Sequence, residues 1–374
     1  MQVACLVSGG VDSSVALALL KEQGHEPVAF YLKVWMEDDM LMGDCPWQED
    51  VDYVCQVADA LQVKVEIVSM QREYWESVVD YTLREVSSGR TPNPDMMCNK
   101  LIKFGAFYNK WGKDFTAIAT GHYGKLISDE SGRIHLHLGK DRVKDQTYFL
   151  SQMSYEQLSR CLFPLGDLTK KEVRNHAKKL KLPNADRPDS QGICFLGKIN
   201  FRDFLKKYVG EKKGCIIEQR TGKVLGQHHG IWFFTIGQRN GLDLSGGPWF
   251  VIDKNPQENI VYVAHGYDPQ EVYVNRIRLA NFNWINPPTR SDRHTDATEN
   301  YKVEVGAKDL KNLRALERIH FKIRHTPQLS EGTLREMASG EYLLLPKDKI
   351  AGVAKGQFGV IYQDEECLGG GVIS

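Results

Sequence analysis

The chain has 374 residues, 42% of them hydrophobic and 26% charged, a composition expected of a soluble globular protein with room for two or three domains. Its 48 basic and 48 acidic residues cancel, which argues against a generic nucleic-acid coat while leaving room for a basic patch on one face. No apolar run approaches the roughly 20 residues needed to span a bilayer, and the eight cysteines contain no CxxC pair, which disfavours a zinc ribbon or thioredoxin-type site.

In chain order, strand-like runs fall at Val3–Val7, Val28–Trp35, Val63–Ser69 and Phe115–Thr120. Helix-like runs separate them, at Ser13–Gln23, Asp50–Leu61, Tyr74–Ser87 and Lys100–Trp111. Apolar strands alternating with amphipathic helices predict an α/β domain with a parallel sheet covered on both faces. Ligands in such sheets bind beyond the carboxyl ends of the strands. Those ends carry Ser8–Ser14, the Leu32–Trp35 region and Gly121-His122-Tyr123. A helical, basic stretch follows from about Tyr155 to Tyr208. Its clusters, Lys170, Lys171, Arg174, Lys178, Lys179 and Lys181, then Arg202, Lys206, Lys207, Lys212 and Lys213, read as solvated helix faces. After Gly210 the pattern turns to β. A hairpin is expected around Arg220–Gly222, and further strands at Ile231–Thr235, Trp249–Asp253 and Val261–Ala264. Short strands with Gly and Pro turns from Glu271 to Ser374 suggest a small barrel. Within it, Ala307–Ile319 has helical spacing, and Asn286 to Asn300 reads as a surface loop.

Ser8–Ser14 reads SGGVDSS at a strand-to-helix turn. A helix N-terminus offers unpaired N–H groups and a partial positive charge to phosphate. Gly9 and Gly10 allow close backbone approach. Ser8, Ser13 and Ser14 add hydroxyls, and Asp12 is placed to hold the metal that accompanies a nucleotide. The motif is no Walker A loop, because no lysine follows the glycines. It resembles the PP-loop of ATP pyrophosphatases, which implies adenylation of an oxygen as a leaving group. Further on, Pro92 and Pro94 stiffen the approach to Cys98, which is expected near a helix N-terminus with its pKa lowered; Asp95 stands three residues before it as a candidate general base. A buried cysteine beside a Pro-rich turn is the equal alternative. Cys194 follows a glycine in the polar loop Asp189–Phe195. A PP-loop with two loop cysteines suggests sulfur transfer through a persulfide.

Eight segments carry a more specific resemblance: SGGVDSS at Ser8, GRTPNPDMMCNKLIKF at Gly89, ATGHY at Ala119, KDQTYFL at Lys144, FPLGDLTKKEVR at Phe163, DSQGICFLG at Asp189, TIGQR at Thr235 and CLGGGVI at Cys367. In this order they resemble the tRNA-uridine 2-sulfurtransferase (2-thiouridylase) family over nearly the whole chain. The resemblance implies a PP-loop domain at 1–208, a small central β-rich domain at 209–270 and a tRNA-binding β-barrel at 271–374. It implies ATP contacts from Leu6, Val7, Ser8, Gly9, Gly10, Val11, Asp12, Ser13, Leu32 and Gly121. It places Asn93, Pro94 and Asp95 at the target base and His122 beside it. Lys144, Asp145, Gln146, Arg324, His325 and Gln357 would contact tRNA. Cys194 would carry the persulfide sulfur and Cys98 would release it, leaving a disulfide to be reduced after each turnover. The implied reaction converts the wobble uridine to 2-thiouridine, with Mg2+ as cofactor and ATP consumed to form AMP and pyrophosphate. No protein-held metal is implied. The implied partners are tRNAs for Lys, Glu and Gln and a persulfide donor, either a cysteine desulfurase or a relay protein, with no membrane. The expected compartment is the cytoplasm, or an organelle matrix if a transit peptide was removed. The rival readings are an amidating PP-loop ligase, disfavoured by the paired cysteines, a nucleotide- or RNA-binding module without catalysis, disfavoured by Cys98, Asp95 and Cys194, and an iron–sulfur-dependent thiolase, disfavoured by the lack of CxxC.

Overall fold

The structure is a computed structural model that describes residues 1–34, 47–189, 201–266, 270–287 and 315–374. Cys194, most of the Leu32–Cys45 segment and most of the 290–317 stretch lie outside the described residues.

Strand β1 (Gln2–Leu6) is the centre of the first sheet, with Val3, Ala4 and Cys5 wholly buried. Its side chains alternate between two cores, as the period of a strand requires. Val3 and Cys5 face helix α1 (Val11–Glu22), while Ala4 and Leu6 share the opposite core with Phe30 and Phe107. Strand β2 (Glu26–Lys33), helix α2 (Trp47–Leu61) and strand β3 (Val65–Ser69) follow. Helices α3 (Gln71–Tyr74) and α4 (Asp80–Ser87) are joined by a π-helical turn. Helix α5 (Pro94–Met97) continues through a nine-residue π-helix, Cys98–Ala106, into α6 (Phe107–Lys110). Strand β4 (Ala117–Ala119) returns to the sheet, and a hairpin of β5 (Gly124–Ser128) and β6 (Ile134–Leu138) leaves it. Helices α7 (Thr147–Leu150) and α8 (Tyr155–Leu158) precede the short strand β7 (Cys161–Leu162). The sheet order β3-β2-β1-β4-β7 is parallel throughout. Helices α9 (Lys170–Lys179) and α10 (Phe201–Tyr208) complete this half.

The second sheet contains β8 (Gly214–Glu218), β9 (Val224–His228), β10 (Trp249–Asn255) and β11 (Ile260–His265), in the order β10-β11-β8-β9. The expected hairpin around Arg220–Gly222 is β8–β9. The expected strand at Ile231–Thr235 is instead a 3-10 turn over Ile231–Phe233. Gly230 at φ 147° bends the chain so closely that a Cβ there would sit 2.4 Å from the Trp232 ring. Ile231 and Phe234 are therefore buried in the sheet's core without pairing.

The last part begins with β12 (Tyr273–Val274) and β13 (Ile277–Trp284), then β14 (Ala315–Lys322), β15 (Ser330–Glu336), β16 (Tyr342–Pro346), β17 (Ile350–Ala351), β18 (Phe358–Gln363) and β19 (Glu366–Ile373). Strands β13-β16-β15-β14-β18-β19 form a barrel closed by β13–β19 pairing. The helical expectation for Ala307–Ile319 fails from Ala315 onward, where the chain is strand β14. A register shift lies between Leu316 and Ile319, and Arg318 has φ 54°. This bulge turns two residues three apart toward one core, so their spacing mimics a helix. The β5–β6 hairpin reaches this barrel through Glu366 opposite His137. Phe358, Val360 and Tyr362 of β18 consequently share a core with Met96, Ile102 and Tyr148.

Candidate active site

The turn between β1 and α1 has the features of an anion cradle. Gly10 caps α1 without any side-chain hydrogen bond, so the backbone donors of the first helical turn are not taken by a side-chain cap. Ser13 Oγ accepts from Ser8 N at 3.1 Å and donates to Gly10 O at 3.1 Å, which fixes the loop from inside. Gly9 has φ 76°, and a Cβ on it would lie 2.7 Å from Asp50 O. Gly121, just after β4, lies over the helix start; a Cβ there would be 2.8 Å from Ser13 N. Two side chains from beyond α9 support the loop. Asn184 Nδ2 donates to Gly9 O and Ser14 Oγ, both at 2.8 Å. Arg187 donates to Gly9 O at 3.1 Å and Asp50 at 2.6 Å, and lies over the Tyr53 ring.

Asp12 opens the first turn of α1, where it accepts from Tyr123 Oη at 2.8 Å and Lys170 Nζ at 2.6 Å. Lys170 also reaches Asp189 at 2.7 Å, which Lys144 and Arg174 meet at the same distance. Burial pushes the Asp189 carboxyl up, but Lys144 and Lys170 outweigh it and hold it below the usual carboxylate range. Lys170 and Arg174 are therefore not the solvated helix face that their charge run suggests. No group of three or more metal-ligating side chains exists among the described residues. A magnesium ion carried on nucleotide phosphates needs only one or two carboxylates, and Asp12, on the first turn of α1, would be the one at this loop.

Asn93 caps α5, its Oδ1 accepting from Met96 N at 3.2 Å, and Pro94 takes the first helical position. This cap fixes where Cys98 falls. The thiol is 4% exposed and lies at the start of the π-helix. Burial pushes it up to about 11, Lys103 pulls it down in part and Asp95 adds to the rise. The expected lowering by a helix N-terminus is thus overturned: Cys98 is the fifth helical residue of this run and is desolvated. His122 is buried with Nδ1 2.7 Å from Thr120 Oγ1, between Phe104 and Phe163. Burial and then Lys103 hold its pKa well below the ordinary histidine value, so the ring is neutral at pH 7. Lys103 is steered by Asn99, whose Oδ1 accepts from Nζ at 3.0 Å and whose Nδ2 donates to Phe149 O at 3.1 Å.

Three family profiles match consecutive parts of the chain: the tRNA methyl transferase HUP domain at residues 1–198, the tRNA methyl transferase PRC-barrel domain at 202–265 and the aminomethyltransferase beta-barrel domain at 274–373. The chain is 49% identical to the tRNA-specific 2-thiouridylase MnmA of Parabacteroides distasonis, over 100% of this chain and 99% of the relative. It is 47% identical to the tRNA-specific 2-thiouridylase MnmA 1 of Bacteroides thetaiotaomicron, over 100% of both. The chain belongs to the tRNA-specific 2-thiouridylase family. A solved U34-tRNA thiolase, NcsA from Methanococcus maripaludis with its 4Fe-4S cluster, is similar at 17% identity and TM-score 0.35, covering 55% of this chain and 67% of that one.

The thiouridylase chain brings the loop residues Leu6 to Ser13 together with Gly121, while Leu32 lies on the adjacent strand β2. It sets Asn93 against the barrel, where Asn93 Nδ2 lies 3.4 Å from Gln357 Oε1 and Gln357 Nε2 donates to Pro92 O at 2.6 Å. Gln357 therefore holds the Thr91–Asn93 loop in place. Asp145 departs most from an RNA-contacting role. Its side chain is 1% exposed and pairs with the equally buried Lys322 at 2.9 Å, so its carboxylate does not face an external ligand. Gln146 accepts from Tyr123 N, and His325 Nε2 sits 2.8 Å from Asp145 O. Lys144, Arg324 and His325 keep solvent-facing surface, although Arg324 also donates to Gly352 O. Sequence reading missed Lys103, Asn184 and Arg187 as parts of the site, while Tyr123 stood in the Gly121-His122-Tyr123 strand end. Lys103 stood inside the recognised Gly89 segment, and its i,i+5 offset from Cys98 becomes meaningful only on a π-helix.

Proposed function

We propose that this chain is an ATP-dependent tRNA-uridine 2-sulfurtransferase that converts the wobble uridine, position 34, to 2-thiouridine. The observation that carries the reading is the 49% identity to a named 2-thiouridylase along the entire chain. The profile descriptions speak of methyl transfer, but an uncapped helix start behind Ser8–Gly10 favours phosphate chemistry.

ATP would bind with its phosphates at residues Leu6 to Ser13 and its nucleoside near Leu32 and Gly121. Magnesium, held by the phosphates and Asp12, would help neutralise the pyrophosphate as it departs. The uridine is extruded from the anticodon stack, because its C2 carbonyl is otherwise out of reach. Its O2 attacks the α-phosphate of ATP and pyrophosphate leaves. Asn93, Pro94 and Asp95 would seat the base, with neutral His122 beside it. Terminal persulfide sulfur on Cys194 then attacks C2 and AMP departs. Cys98, its proton taken by Asp95, attacks the Cys194 sulfur and frees the sulfur for the base. The resulting disulfide is reduced by an external thiol before the next turnover. Lys144, Gln146, Arg324 and His325 would contact the RNA, with Asp145 and Gln357 supporting them. The tRNAs for Lys, Glu and Gln are the proposed substrates, and a cysteine desulfurase or relay protein is the proposed donor. A cytoplasmic site and domain limits of 1–208, 209–270 and 271–374 complete the proposal.

The test is thiolation of unmodified tRNA with ATP, magnesium and a persulfide donor. Wild type should form 2-thiouridine, AMP and pyrophosphate. Cys98→Ser and Cys194→Ser should form no thiouridine while retaining ATP–pyrophosphate exchange. AMP formation by wild type without a thiolated base, with donor and reductant present, would overturn the substrate and favour an amidating ligase.

A further inference from the structure

The loop Ser8–Ser14 contains no cation, yet a triphosphate brings several negative charges to it. Departure of pyrophosphate is accelerated by a positive group fixed where the charge develops. Helix α9 brings such a group from 158 residues away in sequence. Lys170 Nζ lies 2.6 Å from Asp12 Oδ1, on the first turn of α1, and its side chain is only 16% exposed. Its position is over-determined. Thr169 and Glu172 form a capping box at the start of α9, and Lys170 N donates to Asp141 Oδ2 at 2.9 Å. A lysine ammonium has three donors. Asp12 and Asp189 accept two of them, and among the described residues the third has no acceptor.

We propose that Lys170 binds the pyrophosphate part of ATP, exchanging Asp189 for the β- and γ-phosphates. The proposal rests on the reading of Ser8–Ser14 as an ATP site. The exchange strands no charge. Asp189 keeps Lys144 and Arg174, each at 2.7 Å, and Asp12 keeps Tyr123 Oη at 2.8 Å. Arg187, the other cation at the loop, is less suited. Its guanidinium is occupied by Gly9 O, Asp50 and the Tyr53 ring.

The experiment is calorimetric titration of ATP, AMP and inorganic pyrophosphate into the full chain, wild type against Lys170→Met and Lys170→Arg. Lys170→Met should weaken ATP and pyrophosphate by about tenfold or more, the scale of one charge-assisted contact, and leave AMP unchanged. Lys170→Arg should recover most of the loss. Equal weakening of ATP and AMP, or no weakening, overturns the inference and leaves Lys170 a structural ion pair. Asp189→Asn supplies an independent arm if Lys170→Met does not fold. Removing the competing carboxylate should tighten ATP relative to AMP, and an unchanged ratio counts against the exchange. Wild type that binds neither ATP nor AMP would overturn the nucleotide site itself, a result separate from failure of Lys170 alone.

Discussion

Cys98 shows how one residue's setting alters its chemistry. Near a helix start and in water, a cysteine is readily ionised. In this fold the thiol is desolvated and pushed from 9.0 up to about 11. At pH 8 that leaves about a hundredfold less thiolate than in an unburied cysteine. The group is an acid with a raised pKa, so thiolate grows as pH rises toward 11 and falls away below it. Iodoacetamide labelling followed residue by residue with mass spectrometry should therefore find Cys98 at least tenfold slower than the partly exposed Cys55 at pH 8. Its rate should climb steeply between pH 8 and 10. Labelling as fast as Cys55 would refute the desolvated setting. Oxidation follows thiolate and exposure, so the resting thiol should also oxidise more slowly than Cys55. Asp95 and Lys103 are the groups that act on it electrostatically, one raising and one lowering its pKa.

At the scale of elements, the β1–α1 turn and the Arg90–Cys98 segment meet different constraints. The turn needs Gly9, because φ 76° is strained for other residues and a Cβ there would meet Asp50 O at 2.7 Å and Arg187 Nη1 at 2.9 Å. Gly9→Ala should cost about 1–3 kcal/mol of stability and at least tenfold in ATP affinity. A urea titration and a binding isotherm check both, and a variant matching wild type in both would show that the turn tolerates a side chain. The Arg90–Cys98 segment is instead held from outside. Thr91 N donates to Lys355 O at 2.8 Å, and Gln357 Nε2 donates to Thr91 O and Pro92 O. The barrel thus sets the position of a loop that belongs to the first domain.

For the whole molecule, the decisive contact is the Asp145–Lys322 pair, both side chains 1% exposed. It joins the segment between β6 and α7 to strand β14, and Thr147 Oγ1 and Gly139 N also donate to Asp145. A pair this buried contributes modest net stability, but losing one partner strands a charge. Lys322→Met should lower unfolding free energy by about 3–5 kcal/mol, and Lys322→Met with Asp145→Asn should recover part of that. Urea unfolding of the three proteins measures it. A Lys322→Met protein as stable as wild type would mean that the pair does not hold the halves together. The shared core, in which Tyr362 and Phe358 meet Tyr148 and Met96, points the same way.

Read alone, the sequence determined the parallel-sheet domain, because buried strands and amphipathic helices have periods that survive without tertiary context. It also determined the phosphate loop, the Arg90–Cys98 segment and the β-rich remainder, since these rest on glycines, prolines and spacing along the chain. Only the tertiary structure decided what depends on distant partners. Desolvation of Cys98 is set by the core around it. The inward turn of Asp145 is set by Lys322, 177 residues away. The bulge in β14 produced a helical spacing in a strand, because burial fixes which side chains point inward and a bulge changes their count. Lys170 read as one charge in a solvated run until the fold placed it on Asp12. Charge patterns report composition along a helix, whereas pairing depends on which other element that helix meets.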